Sequence, residues 1–369
     1  MTLKAKVKTK RPDKFQRWMI ASFFLIPLLL FGSIGAYYAY FPVKMHILTY
    51  LLRFNQTNGW ARQSIYSQGE KAVPYLIRAL WNRNSWVQGR AEGILEDLTE
   101  RGAVLRDEKR TAWLIRLLSH PKSRVRGGAV RALGIFHERS ALPQLMKLLS
   151  DRSRYVRCEV AQAFGNIGDR EAVPGLIKLL SDPHYLVRCA AARALGELAR
   201  GGPGFHFGRG RPAPFRAGAY ENVLKAVPHL VKLLSDTSSD VRCVATKALG
   251  RIGDSRAVPE LIKLLSDPVY GVRVNAADAL GEIGSAEAVG PLIGCLKERP
   301  MPRVLPEDWR SFQAHDVVEA LEKITGQSFG DIAYAGTGAK LEQIIQKWLQ
   351  WWEENKERYQ EERALPPEE

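Results

Sequence analysis

The sequence predicts an all-α solenoid of stacked helical hairpins, and two motifs recurring at one interval predict it. Val-Arg recurs at Val125-Arg126, Val156-Arg157, Val187-Arg188, Val241-Arg242 and Val272-Arg273. The steps are 31, 31, 54 and 31 residues, so one step carries 23 extra residues and the others keep a strict period. A second motif, Leu-(Ile/Met/Val)-x-x-Leu, keeps the same beat at Leu114, Leu145, Leu176, Leu230, Leu261 and Leu292. A period near 30 with two apolar-periodic segments means helical hairpins that bury their apolar faces on their neighbours. That fold turns the functional expectation from catalysis toward binding.

Each element of one copy, residues 169–199, follows from its residues. Asp169 is a natural N-cap, and Pro174 falls in the first turn, where a missing N–H costs least. Equivalent prolines stand at 74, 143, 228, 259 and 291. The first helix presents Val173, Leu176, Ile177 and Leu180, an i, i+3, i+4, i+7 stripe. Ser181-Asp182-Pro183 turns the chain, and the second helix packs Val187, Ala191, Ala194 and Leu195, whose alanines permit close approach. Gly196 ends that stripe, as Gly134, Gly165, Gly250 and Gly281 do in the other copies.

An aspartate precedes the arginine by six residues in four copies: Asp151/Arg157, Asp182/Arg188, Asp236/Arg242 and Asp267/Arg273. His120 takes that place before Arg126. A carboxylate at each inter-helix turn bonds the next helix's N-terminus while arginine bridges to a neighbouring repeat, a structural ladder rather than a binding site.

The Asp-Pro-x-x-x-Val-Arg-x-x-Ala-x-x-Ala-Leu-Gly and Gly-Asp-x-x-Ala-Val-Pro-x-Leu-Ile-x-Leu-Leu lines resemble bacterial HEAT repeats of the phycobilisome-lyase-like type. The resemblance covers about 68–325 and is weaker at 68–99, where Gln88 follows Val87, and past 297, where Pro300, Pro302 and Pro306 interrupt it. It implies a HEAT-type α-solenoid, armadillo-like in fold, of about seven hairpins. The ending, with Trp348, Trp351 and Trp352, resembles the closing cap of such proteins.

Net charge is +15, which suggests an anionic partner or surface. Residues 1–17 hold seven cationic side chains and Asp13, forming a basic tail. Trp18 to Val43 carries no formal charge, enough for one membrane-spanning helix over 18–41 bracketed by aromatic residues. A cleaved signal peptide is the rival reading, with Ser33-Ile34-Gly35 a poor cleavage site. The basic flank predicts a single-pass protein of the cell membrane, its N-terminus cytoplasmic and its repeats extracytoplasmic. Residues 43–67 then form a capping or linker helix, 68–325 the solenoid with an insertion at 200–222, and 326–369 a cap helix with an acidic tail.

Little in the sequence carries chemistry. It holds no Gly-rich phosphate loop, no Gly-x-Ser-x-Gly and no His-Glu-x-x-His. Deoxyhypusine hydroxylase, another HEAT-repeat protein, needs paired His-Glu motifs at helix starts, whereas His137-Glu138 lies past a second helix. Cys158, Cys189 and Cys243 share one place in their repeats and, with Cys295, read as semi-buried fillers rather than disulfide partners or metal ligands. No catalytic residue, cofactor or metal is expected.

Two candidate partner-binding surfaces remain. One is the residue six positions after each valine, Arg131, Gln162, Arg193, Lys247 and Asp278, which faces the concave side of a HEAT stack. The other is the insertion, where Phe205, Phe207, Arg209, Arg211 and Arg216 interleave in a Gly-Pro background. The expectation is a non-enzymatic, membrane-anchored scaffold for another protein. A bilin-lyase-like enzyme or accessory factor, or an anionic-polymer binder acting through the insertion, is the alternative; localisation argues against nucleic acid.

Overall fold

The computed structural model describes residues 55–102, 107–200, 217–298, 307–330 and 339–364, and every element among them is helical. The chain divides into two compact units, Met1–Arg106 and Asp107–Glu369. No helix among the described residues is long and apolar enough to cross a membrane. The span expected over 18–41 lies outside those residues, so the single-pass localisation and topology drawn from it are not supported by the structure.

The first unit holds α1 (Asn55–Tyr66), α2 (Val73–Ala79) and α3 (Ser85–Glu100). Asn84 caps α3 by accepting from the Trp86 backbone N–H. Buried Leu76, Ile77 and Leu80 share a core with Val87, Ala91, Ile94 and Leu95. Arg62 and Tyr66 of α1 both donate to Asp97 of α3, the arginine at 2.7 Å, fastening the leading helix to the hairpin. The link also holds the Asp97 carboxyl below its ordinary range, Tyr66 contributing most and Arg62 next.

The second unit repeats one hairpin six times. Its first four helices are α4 (Glu108–Leu117) with α5 (Ser123–Ile135), and α6 (Leu142–Lys147) with α7 (Arg154–Ile167). The pair α8 (Val173–Leu179) and α9 (Tyr185–Ala199) is followed by α10 (Ala217–Leu224). Then come α11 (Val227–Leu233) with α12 (Ser239–Ile252), and α13 (Val258–Leu264) with α14 (Tyr270–Ile283). Finally α15 (Val289–Glu298) pairs with α16 (Glu307–Thr325), and α17 (Ala339–Ala364) packs on α15.

Local chemistry starts and stops these helices as the residues require. Asp169 and Asp254 accept from the backbone N–H two residues on, opening a 3-10 turn that leads into the proline-bearing first helix. The second helices α7, α12 and α14 end at Gly168, Gly253 and Gly284, with φ of 72°, 74° and 75°, where a Cβ would be strained. The glycines expected to close each stripe do something else. A Cβ at Gly134, Gly250 or Gly281 would meet the Cα of Ala163, Ala279 or Ala320 at 2.8 to 2.9 Å. Gly165 and Gly196 face Ala194 and Ala248 in the same way, at 3.3 and 3.1 Å. These are the points where one second helix lies directly against the next.

Consecutive second helices pack on one another throughout the unit, whereas each first helix packs mainly on its own second helix. The second helices therefore form the closely packed layer of this unit and the first helices the looser one. Buried Leu176, Phe164 and Leu195 fill the space between layers; each such side chain stabilises by roughly 1.5–3 kcal/mol.

Two regions depart from the regular hairpin. Of the insertion, 201–216 lie outside the described residues, while 217–222 form most of α10, which stands where other copies have a 3-10 turn. At the end of the chain α16 lacks Val-Arg yet stacks on α14 as a second helix. Trp348 of α17 is 0% exposed, with Phe329 edge-on at 4.9 Å, and Trp352 lies over Gly290 of α15, so these tryptophans seal the last first helix.

Candidate partner-binding face

The arginines after each valine build a ladder along the turns between first and second helices. Four of the five donate bidentately to the aspartate of the following copy, Arg126 to Asp151 at 2.8 and 2.7 Å, Arg157 to Asp182 at 2.6 and 3.0 Å, Arg242 to Asp267 at 2.8 and 3.0 Å, and Arg188 to Asp236, while Arg273 donates to the Asp267 carbonyl at 2.8 Å. The third guanidinium nitrogen turns back to the carbonyl six residues earlier, at His120, Asp151 and Asp236. Each aspartate also accepts from the backbone N–H two residues on, at Ser153, His184, Ser238 and Val269. Burial pushes the Asp151, Asp236 and Asp267 carboxyls up, but the arginine and backbone donors outweigh it and leave all three below the ordinary range. His120 reproduces the turn in the aspartate's place, its Nδ1 accepting from Lys122 N at 3.1 Å. In the first unit Gln88 does the arginine's backward half, donating to the Asn82 carbonyl at 2.7 Å.

A second interlock runs one step along each second helix. Tyr155 lies over Gly127, where any Cβ would strike its ring, and a Cβ on Gly271 would lie 3.8 Å from the Cys243 thiol. Cys189 meets Asp240 in the same register, the carboxylate adding to burial in pushing that thiol up to about 11. Burial likewise pushes Cys158 up to about 11, so these thiols stay protonated and act as the inter-repeat fillers their spacing suggested.

The row six residues after each valine is not uniform. Arg131 is nearly buried and donates bidentately to Glu159 of the next second helix, its Nε at 2.8 Å, so it is used within the fold. Asp278 faces Lys323 of α16 at 3.4 Å. Gln162, Arg193 and Lys247 are exposed. Arg193 and Lys247 stand at equivalent places on α9 and α12, which touch where Gly196 meets Ala248. Neither makes an ion pair among the described residues, in contrast to every ladder arginine from Arg126 to Arg242. The insertion residues Phe205, Phe207, Arg209, Arg211 and Arg216 lie outside the described residues.

Features of this face escaped the sequence reading. Leu186 is 46% exposed, and Tyr185 beside it stacks on His184 with ring centroids 5.2 Å apart. Leu186 takes the place of Tyr155 and Asp240 in neighbouring copies, an apolar exception that alignment of the copies displays. At the far end, burial first and then Asp278 and Glu319 push the Asp316 carboxyl up to about 6, with Lys323 opposing. Half-buried Glu197 is also raised, by burial, against Arg251 and Arg193.

Comparison with known families agrees with this architecture. A family model for HEAT repeats matches residues 142–204 and 227–305, and one for the PBS lyase HEAT-like repeat matches 125–151. No curated protein matches the chain. Among solved structures, an engineered protein is 26% identical, with TM-score 0.44 over 60% of this chain and 98% of its own. A designed armadillo repeat protein in complex with the peptide (KR)4 is 22% identical, with TM-score 0.43 over 59% and 100%. The CpcE–CpcF complex of phycocyanin lyase from Nostoc is 21% identical, with TM-score 0.35 over 75% and 94%. Each is a weak likeness, and nothing those proteins bind transfers to this chain. The chain carries HEAT repeats in an all-helical HEAT/armadillo-like solenoid.

Proposed function

We propose that the protein is a non-enzymatic scaffold that holds another protein against the inner, second-helix face of residues 107–364. The observation that supports this reading is the exposed row of Gln162, Arg193 and Lys247 on closely stacked helices. Its two cations make no salt bridge among the described residues, although Glu197 one turn along lies within reach of the Arg193 charge, in a fold that pairs four successive ladder arginines with aspartates. A rigid concave surface with a few uncompensated polar groups favours macromolecular docking over small-molecule chemistry. The row spans three consecutive second helices, a length suited to an extended segment of the partner.

Site-specific photocrosslinking tests this. Benzoylphenylalanine placed at Gln162 and at Lys247 should form adducts with one and the same protein. The same group at Lys178, exposed on the first-helix layer, should form none. Adducts from Lys178 alone, or different proteins at the two inner positions, would overturn the proposal.

A further inference from the structure

We infer that the partner contributes an acidic segment with an apolar anchor, its carboxylates meeting Arg193 and Lys247 and its apolar side chain resting on Tyr185 and Leu186. This rests on the inner-face reading above and adds the chemistry of what binds there. Arg193 follows Leu186 by seven residues on α9, two turns along the same helix face. Lys247 holds the equivalent place on α12, beside Ala248, whose Cα a Cβ on Gly196 of α9 would approach to 3.1 Å. Cation and apolar side chain therefore form one patch rather than two.

Two independent observations favour that ligand. The first is charge: Arg193 and Lys247 are exposed, on adjacent helices and without a salt bridge among the described residues, while the chemically similar Arg131 two copies earlier is fully used by Glu159. Like charges on equivalent positions repel until an anionic group lies between them. The second is exposure: only four large hydrophobic side chains are exposed among the described residues, and two of them, Tyr185 and Leu186, are neighbours at the start of this helix. Tyr155, equivalent to Leu186, lies down on Gly127. By register the place of Gly127 is taken by Cys158 in the copy before Leu186, whose side chain leaves no such bed. Aromatic and apolar anchors beside a cation are what interface hot spots are made of. A polyanion without apolar groups would use the cations and leave the anchor untouched.

Selection of displayed random 12-residue peptides on the full chain tests the inference, with binding of enriched peptides measured by fluorescence anisotropy. Enriched peptides should carry net negative charge and at least one large apolar residue. Arg193→Glu with Lys247→Glu should weaken them at least 10-fold, and Leu186→Ser at least 3-fold, with unchanged helical content and melting midpoint. Neutral or basic peptides that still lose binding in the double variant would overturn the acidic chemistry and leave the inner face standing. Peptides indifferent to all three substitutions would overturn the inner face as well. A single-stranded oligonucleotide of 20 residues that binds more tightly than the peptides, and ignores Leu186→Ser, would replace a protein segment with nucleic acid and overturn the inference.

Discussion

Arg188 donates Nε and Nη2 to Asp236 at 2.7 and 2.8 Å, although 48 positions separate them where every other rung spans 25. The rung is as short as its neighbours, so the register between copies is kept across the 23 additional residues.

Excision of residues 200–222 therefore leaves the stack intact. With Gly in place of Ala199, to supply the left-handed cap that ends α7 and α12, folding stability should change by about 1 kcal/mol, the scale of loop-closure entropy. Urea denaturation followed by circular dichroism measures it, and a loss several times larger would show the insertion to be part of the packed core.

Breaking a rung should be far more costly than breaking a surface pair. The Arg188 and Asp236 side chains are almost buried, so Arg188→Ala leaves a carboxylate without its partner and should cost about 3 kcal/mol. Lys263→Ala removes an exposed pair with Glu260 and should cost less than about 1 kcal/mol. Equal midpoints for the two variants in urea would remove the ladder from any account of stability.

Glycine substitutions should split by sign. A methyl at Gly250 would sit 2.8 Å from the Ala279 backbone, so Gly250→Ala should destabilise by about 1–3 kcal/mol through overpacking. Gly294, inside α15, has nothing within 4 Å of the same position, and Gly294→Ala should stabilise by about 0.5–1 kcal/mol through helix propensity. Thermal melts of the two variants should move in opposite directions.

Acid and neutral pH should reveal two opposed groups of carboxyls. Asp316 has a folded pKa of about 6, above the roughly 3.9 of an unfolded aspartate, so the folded chain holds more protons between those values. Its contribution to stability falls as pH rises through that window. Asp316→Asn should then gain about 1 kcal/mol at pH 8, discounted for partial exposure, and nothing at pH 4. Asp151, Asp236 and Asp267 shift the other way, and the stability they confer is lost as pH falls below about 4. Denaturant titrations of both chains at pH 8, 4 and 3 separate the effects.

The hairpin, its caps and its ladder were legible because they depend on residues close in sequence or one period apart. The inner face was only partly legible. Arg131 and Arg193 look alike in their own copies, and what separates them is Glu159, three residues after Val156 on the next second helix, against Ala190 and Val244 in the later copies. Gly196 reads as a helix stop in one dimension, while its function is an approach to Ala248 in another copy. The membrane span rested on a different signal, an uncharged run of the right length for lipid; it lies outside the described residues, among which no helix is long and apolar enough to cross a membrane.

The ladder also gives the stack a head and a tail. Each unit offers a guanidinium forward and a carboxylate backward, so a joint between copies is directional and would propagate without closing on itself. Length in such an assembly is decided by whatever refuses the next joint. Within residues 107–364 the series begins where His120 stands in the carboxylate's place and ends where Trp348 roofs the last first helix.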